Sequence, residues 1–219
     1  MKKTIYIFSA LVSLFLIIGS IAGFLPISLA EVLGFITGGL CVWLTVKENI
    51  WNWPIGIVNS VFFAILFWQS KLFADMSLQF IYIVLGFLGW YWWLHGGKNK
   101  KELEISNTNT VTWIGLTIFT VIATYFIMLY LRSVADSAPL LDALTTVLSL
   151  DAQYLLTKKI IENWWFWIIA DVLYIGMYAY KNLYLTAILY LIFFCMCIRG
   201  FIEWRTTQKK KADRVIAQK

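Results

Sequence analysis

Asp171 is the residue in this chain that most needs a physical reason. It lies near the middle of the apolar segment 164–180. A charge at the centre of a bilayer costs about 2.5–3.5 kcal/mol on insertion scales. Trp164, Trp167, Tyr174 and Tyr178 accompany it at spacings of three and four, which a helix gathers onto one face. Indole and phenol rings beside a carboxylate suit a flat, cationic ring. The rings supply stacking and cation–π attraction, about 0.5–2 kcal/mol each, and the carboxylate supplies the countercharge. A second stripe, Gln79, Tyr82, Gly86 and Trp90 or Trp93, runs along segment 73–95. Asn59, Asp151 and Gln153 also lie inside apolar segments and must face the bundle interior or a water-filled cavity. The plainer reading of Asn59, Gln79 and Gln153 is hydrogen bonding between helices. Glu31, Asp75 and Asp142 sit near segment ends, where capping accounts for them. Arg199 and Glu203 are spaced for an ion pair along one helix face. Single aromatics in such stripes also serve as packing or lipid-facing residues.

Other chemistry is thin. His95 is the single histidine, and Cys41, Cys195 and Cys197 fall in apolar segments as small packing residues. No CxxC, Walker loop, dinucleotide fingerprint, HExxH or GxSxG is present. The expectation is therefore no metal, no cofactor and no enzyme. An intramembrane carboxylate pair, Asp151 with Asp171, is the enzymatic alternative. Against it, the duplicated positions of these aspartates hold Leu40 and Ser60. A passive assembly or receptor subunit is a third reading, and it predicts no closed cavity.

The elements that must position these residues are membrane helices. The chain of 219 residues is 61% hydrophobic and 14% charged, with a mean hydropathy of +0.76. A soluble domain carries about 25% charged residues. Eight apolar segments, roughly 4–24, 28–47, 51–69, 73–95, 111–133, 138–157, 164–180 and 183–204, have the length that crosses a hydrocarbon core. Met1-Lys2-Lys3 and the run after it also fit a signal peptide, but the run is long and no clean A-x-A site follows, so a retained helix is expected. The net charge of +6 does not point to nucleic acid, because the basic residues sit at the membrane edges. With an even number of spans both termini share a side. That side holds Lys2, Lys3, Lys47, Lys158, Lys159, the 96–110 loop and the tail, while Lys71, Arg132 and Lys181 fall opposite. The positive-inside rule then makes the termini and the loop cytoplasmic. Trp43, Trp51, Trp53, Trp68 and Trp90 to Trp93 cluster near predicted interfaces as belt aromatics. The tail beyond Arg205 is expected to fray.

The chain is duplicated. Asn163-Trp164 repeats Asn52-Trp53 at a spacing of 111 residues, and Lys47/Lys158, Leu44/Leu155, Gly89/Gly200 and Trp93/Trp204 keep that spacing without a gap. The expected order is an extra helix (1–27), a first three-helix copy (28–95), a loop and linker helix (96–137), a second copy (138–204) and a basic tail (205–219). Copies three helices long with one helix between them have the same orientation, so a pseudo-two-fold axis along the membrane normal follows. A substrate site is expected between the copies near mid-membrane. Gly34, Gly38 and Gly39 provide a small-residue packing face.

The runs WNWPIGIVNSVFFAILFWQSKLFADMSLQFIYIVLGFLGWYWW and ENWWFWIIADVLYIGMYAYKNLYLTAILYLIFFCMCIRGFIEW resemble the two repeats of the PnuC-type vitamin transporters, typified by nicotinamide riboside transporters. W-x-W-P, A-D-x-x-L-Q-x-x-Y and W-x-x-W at these spacings carry the resemblance. It implies an all-α, polytopic 3+1+3 fold similar to SWEET sugar transporters, here with one extra N-terminal helix. It also implies a homotrimer in the inner membrane and facilitated diffusion, with trapping of the substrate by a cytosolic kinase. The residues it singles out in this sequence are Asn59, Gln79, Tyr82 and Trp90 from the first copy. From the second copy they are Gln153, Trp164, Trp167, Asp171 and Tyr174. Nicotinamide riboside is the expected substrate. Thiamine, riboflavin and deoxynucleosides are the alternatives that the resemblance leaves open.

Overall fold

The computed structural model describes residues 13–24, 29–69, 73–97, 99, 101–135, 138–180 and 184–217. The chain is all-helical. Eight helical segments occur among the described residues: α1 (13–21), α2 (Leu29–Val46), α3 (Asn52–Gln69), α4 (Phe73–His95), α5 (Thr110–Ser133), α6 (Pro139–Thr157), α7 (Asn163–Tyr180) and α8 (Tyr184–Ala217). From α2 to α7 the helices match the expected segments to within a residue or two. Lys71, Lys181 and residues 4–12 of the first expected segment lie outside the described residues, as do the side chains of Glu31, Asp75 and Tyr178. Met76–His95, Thr110–Ser133 and Ala187–Lys211 are long and apolar enough to cross a membrane, and Val32–Val46 and Asn52–Trp68 are shorter apolar helices.

The C-terminal tail departs from expectation. It does not fray at Arg205 but continues α8 to Ala217. A helix of 34 residues is about 51 Å long, well beyond a hydrocarbon core of about 30 Å. The segment after Arg205 lacks glycine and proline. It is also held from the side, where Gln208 Nε2 donates to Asn107 Oδ1 at 2.5 Å and Lys211 pairs with Glu104 at 3.4 Å.

Neighbouring helices pack in sequence: α2 on α3, α3 on α4, α5 on α6, α6 on α7, and α7 on α8. Two further contacts, α2 with α8 and α4 with α6, join the two copies of the duplicated sequence. Glycines make room for tryptophans in both copies. A Cβ added at Gly89 would run into the Trp53 ring, and one at Gly200 into the Trp164 ring. Each ring meets its neighbour edge-on, Trp53 with Trp93 and Trp164 with Trp204, both at 5.4 Å. These four indoles form a core with Val46, Leu156, Ile161 and Cys197. Trp53 and Trp93 are 3% exposed and are not belt residues, whereas Trp51 and Trp68 stay more than 60% exposed. The physical reason is the facing glycine, which opens a slot that only a buried ring fills.

The links between copies also recur at the 111-residue spacing. Trp93 Nε1 donates to Leu156 O at 3.0 Å, and Trp204 Nε1 donates to Thr45 O at 3.0 Å. Lys47 pairs with Glu203 at 2.6 Å, while its counterpart Lys158 lies over the Trp92 ring at 3.2 Å. Both α2 and α6 end in the same turn. Asn49 N donates to Leu44 O and Ile160 N to Leu155 O, with Glu48 and Lys159 in the left-handed region at φ 53° and 54°. Glycine usually fills this position, and a side chain there costs about 1–2 kcal/mol. Here the two side chains meet: Lys159 Nζ lies 3.1 Å from Glu48 Oε2.

A contrast between two buried indoles tests this packing. Trp204 donates a buried hydrogen bond, but the Trp164 N–H has no partner among the described residues. Trp204→Phe should therefore destabilise the protein by about 1–3 kcal/mol more than Trp164→Phe. Thermal unfolding of the two purified variants in one detergent would read the difference, and equal losses would contradict the assigned bonding.

Candidate functional site

The nine residues singled out from the sequence separate into three groups. Asn59 is committed to packing: its Nδ2 donates to Gly34 O at 2.7 Å and to Thr37 Oγ1 at 2.8 Å, tying α3 to α2. Trp164 and Trp90 belong to the tryptophan core, Trp164 at 1% exposure and Trp90 packed against the cluster from its edge. Trp164 shares a helix face with Asp171, but it sits two turns nearer the lysine-rich end, with its ring filled in by Gly200 and Trp204. Gln79, Gln153 and Trp167 are half-buried, with no side-chain hydrogen bond to another described residue. Trp167 bridges the two core clusters.

Tyr82, Asp171 and Tyr174 form the third group, and α6 brings two of them together. Thr145 and Ser149 lie one turn apart on its buried face. Thr145 Oγ1 donates back to Leu141 O at 2.9 Å, and Ser149 Oγ donates to Thr145 O at 2.8 Å. With their protons used in this way, both hydroxyl oxygens are left as acceptors. Tyr82 from α4 faces Ser149, and Tyr174 from α7 faces both Thr145 and Ser149. One serine thus stands near a phenol from the first copy and a phenol from the second. The Tyr174 ring lies against Tyr190 of α8 with centroids 4.5 Å apart. Asp171, 4% exposed, stands one turn before Tyr174 on α7 and is 3.5 Å from Cys197 Sγ of α8.

Asp151 belongs elsewhere. Thr120 Oγ1 of α5 donates to its Oδ2 at 2.6 Å, so this carboxylate anchors the linker helix. Asp151 and Asp171 have partners on different helices, and no contact between them occurs among the described residues. No group of three or more His, Cys, Asp or Glu side chains that could hold a metal occurs among the described residues.

Thr145, Ser149, Tyr190 and Cys197 were not singled out from the sequence. A signal was present: Asp142, Thr145, Ser149 and Gln153 follow one another at three, four and four along α6, a polar stripe along one face of the helix. The duplication shows the asymmetry more sharply. Where the second copy has Thr145 facing Tyr174, the first has Gly34 against the Phe63 ring at the same spacing. The Asp171–Cys197 pair is matched by Ser60 and Gly86. The same slots are apolar or small in one copy and polar in the other.

Ser149→Ala would remove the hydroxyl that the Tyr82 phenol faces. The expected loss is about 1–3 kcal/mol of stability, and adding Tyr82→Phe should recover part of it. Unfolding midpoints of the single and double variants check this, and strict additivity would mean that Ser149 and Tyr82 do not interact.

A cavity of about 760 Å³ opens at the lysine-rich end, lined by Glu48, Leu94, Lys101, Glu102, Leu103, Glu104, Lys159 and Lys211. None of the nine expected residues lines it.

Comparison with known proteins places this architecture. The sequence profile of the family described as "Nicotinamide mononucleotide transporter" matches residues 28–206. The chain is 28% identical to the "Nicotinamide riboside transporter PnuC" of Escherichia coli (strain K12), over 90% of this chain and 93% of that protein. It is 19% identical to the "Riboflavin/roseoflavin transporter RibM" of Streptomyces davaonensis, over 85% of this chain and 89% of that protein. Its fold is similar to that in the "Crystal structure of the Vitamin B3 transporter PnuC", with a TM-score of 0.66, 27% identity, and coverage of 93% of this chain and 92% of that one. The helical architecture, the duplicated tryptophan core and a profile match over most of the chain make this protein a member of the PnuC-type transporter family, a family of multi-pass membrane proteins.

Proposed function

We propose that this protein is a uniporter that imports nicotinamide riboside across the inner membrane, with both termini in the cytoplasm. The observation that carries the reading is the convergence of Tyr82 and Tyr174, from different copies, on Ser149, with the buried carboxylate of Asp171 one turn from Tyr174. Phenol rings from the two copies would stack on a flat cationic base, and Asp171 would supply its countercharge. Hydroxyl and amide groups at Thr145, Gln79 and Gln153 would serve the ribose. Trp167 stands close enough along α7 to complete an aromatic wall.

In this reading the chain has eight spans. Two parallel three-helix copies surround a pseudo-two-fold axis and are joined by α5, with α1 as the extra helix. Alternating access then consists of the copies rocking against each other about the site. Transport is facilitated diffusion in a homotrimer, and a cytosolic kinase makes uptake one-way by phosphorylating the vitamin. No cofactor takes part. Thiamine, which shares a flat cationic ring, is the second candidate. Riboflavin is the neutral comparison suggested by the riboflavin-carrying relative.

The test is a calorimetric binding screen of nicotinamide riboside, thiamine, riboflavin and thymidine against purified protein. Tightest binding of nicotinamide riboside supports the reading. Preference for a neutral ligand would remove the countercharge argument.

A further inference from the structure

The segment after α4 is a strap. Its sequence, Lys101-Glu102-Leu103-Glu104-Ile105-Ser106, alternates apolar and polar residues, so an extended chain turns Leu103 and Ile105 to one side. Both pack against the tryptophan core. Leu103 N donates to Trp93 O at 2.9 Å, at the end of α4. Ser106 bonds on both sides of Ile160 in the α6–α7 turn: its N–H donates to Lys159 O at 3.1 Å, and its carbonyl accepts from Ile161 N at 2.9 Å. Thr108 donates through its N–H and its hydroxyl to Glu162, at 3.0 and 3.1 Å. Asn107 and Glu104 hold the extension of α8.

This strap crosses the junction between the two copies, bonding Trp93 of the first and Lys159 and Ile161 of the second. Beneath it lies the Glu48–Lys159 pair, flanked by the crossed Trp93 and Trp204 hydrogen bonds. Leu103 and Ser106 are three positions apart, and an extended chain of that length spans roughly 10 Å. While both ends stay bonded, the end of α4 and the α6–α7 turn cannot draw apart. Burial of Leu103 and Ile105 opposes release in the same direction.

We infer that residues 101–108 are a latch on the lysine-rich side, which must detach from the α6–α7 turn before that side can open. Detachment frees Ser106 and Thr108, lifts Leu103 and Ile105 from the core, and lets Glu48 and Lys159 part. The transport role of the latch rests on the proposed function; its effect on the opening of this side does not.

Two measurements test it. The first locks the strap with Ser106→Cys and Ile160→Cys, the paired residues of the contact. With the disulfide verified by mass, vitamin binding should persist. Uptake into vesicles should fall at least about tenfold and return on reduction, as expected when opening is prevented. Equal uptake in the oxidised and reduced protein would overturn the latch. The second loosens the strap with Ser106→Pro, which lacks the N–H, or with the milder Glu162→Ala should the first variant fold poorly. The readout is maleimide labelling of Thr157→Cys, a position that is 0% exposed. Labelling from the lysine-rich side should quicken about fivefold, the shift expected from one lost hydrogen bond. Unchanged labelling would refute the proposal. Because labelling needs no ligand, faster labelling in a protein that carries no nicotinamide riboside would sink the proposed function and leave the latch standing.

Discussion

Asp171→Asn is expected to weaken nicotinamide riboside binding about 30-fold or more, with the protein still folded and monodisperse. Asparagine keeps the shape of the side chain and removes its charge. Asp171 is 4% exposed, and its contact on α8 is a thiol at 3.5 Å, a weak donor for a carboxylate. A cationic ring brought beside it gains an ion pair shielded from water. Deleting one partner of such a pair costs about 2–5 kcal/mol, which corresponds to a factor of roughly 30 at the lower limit. A neutral ligand such as riboflavin should lose little. Titration calorimetry of wild type and variant with both ligands reads the two effects together, and an unchanged affinity for the cation would remove Asp171 from the site. Trp164→Ala should behave differently. The ring fills the slot over Gly200 in the core, so its truncation should lower stability by about 3–5 kcal/mol whatever the ligand does.

The second large effect concerns the glycines under the tryptophans. Gly89→Ala and Gly200→Ala place a methyl group inside the Trp53 and Trp164 rings. The rings cannot retreat: Trp53 is held edge-on by Trp93, and Trp164 by Trp204. Overpacking of this kind costs about 1–3 kcal/mol, occasionally more. Gly115→Ala and Gly176→Ala are the internal comparison, because nothing lies within 4 Å of the added carbon at either site. Those two should be neutral, or more stable by about 0.5–1 kcal/mol through helix propensity. Thermal unfolding of the four variants separates the pairs. Similar melting temperatures throughout would mean that the glycine–tryptophan slots are not tight.

The helices were legible because a bilayer leaves few options. A chain without water around its backbone must form helices, and the apolar lengths then mark where they begin and end. The limit of α8 was not legible in that way. Hydropathy stops at the membrane edge, whereas the helix continues to Ala217 through good helix formers and contacts with Asn107 and Glu104. The duplication was equally plain, since Asn52-Trp53 and Asn163-Trp164 align without a gap.

Which polar residues meet is a question of a different kind. The helical stripe around Asp171 grouped Trp164 with Tyr174 correctly by face, but a face spans several depths. Depth was settled by Gly200, remote in sequence, which makes the slot that takes Trp164 into the core. Asp151 and Asp171 look alike in sequence, yet Thr120 on α5 claims the first. Thr145 and Ser149 gained their place because α6 lies between α4 and α7, so that one turn of hydroxyls meets tyrosines from both copies. By itself the sequence determined the class, the helices, the duplication and the family signature, since each follows from patterns along the chain. Only the tertiary structure decided which phenols, carboxylates and tryptophans lie together, because that depends on residues of different helices arriving at the same depth.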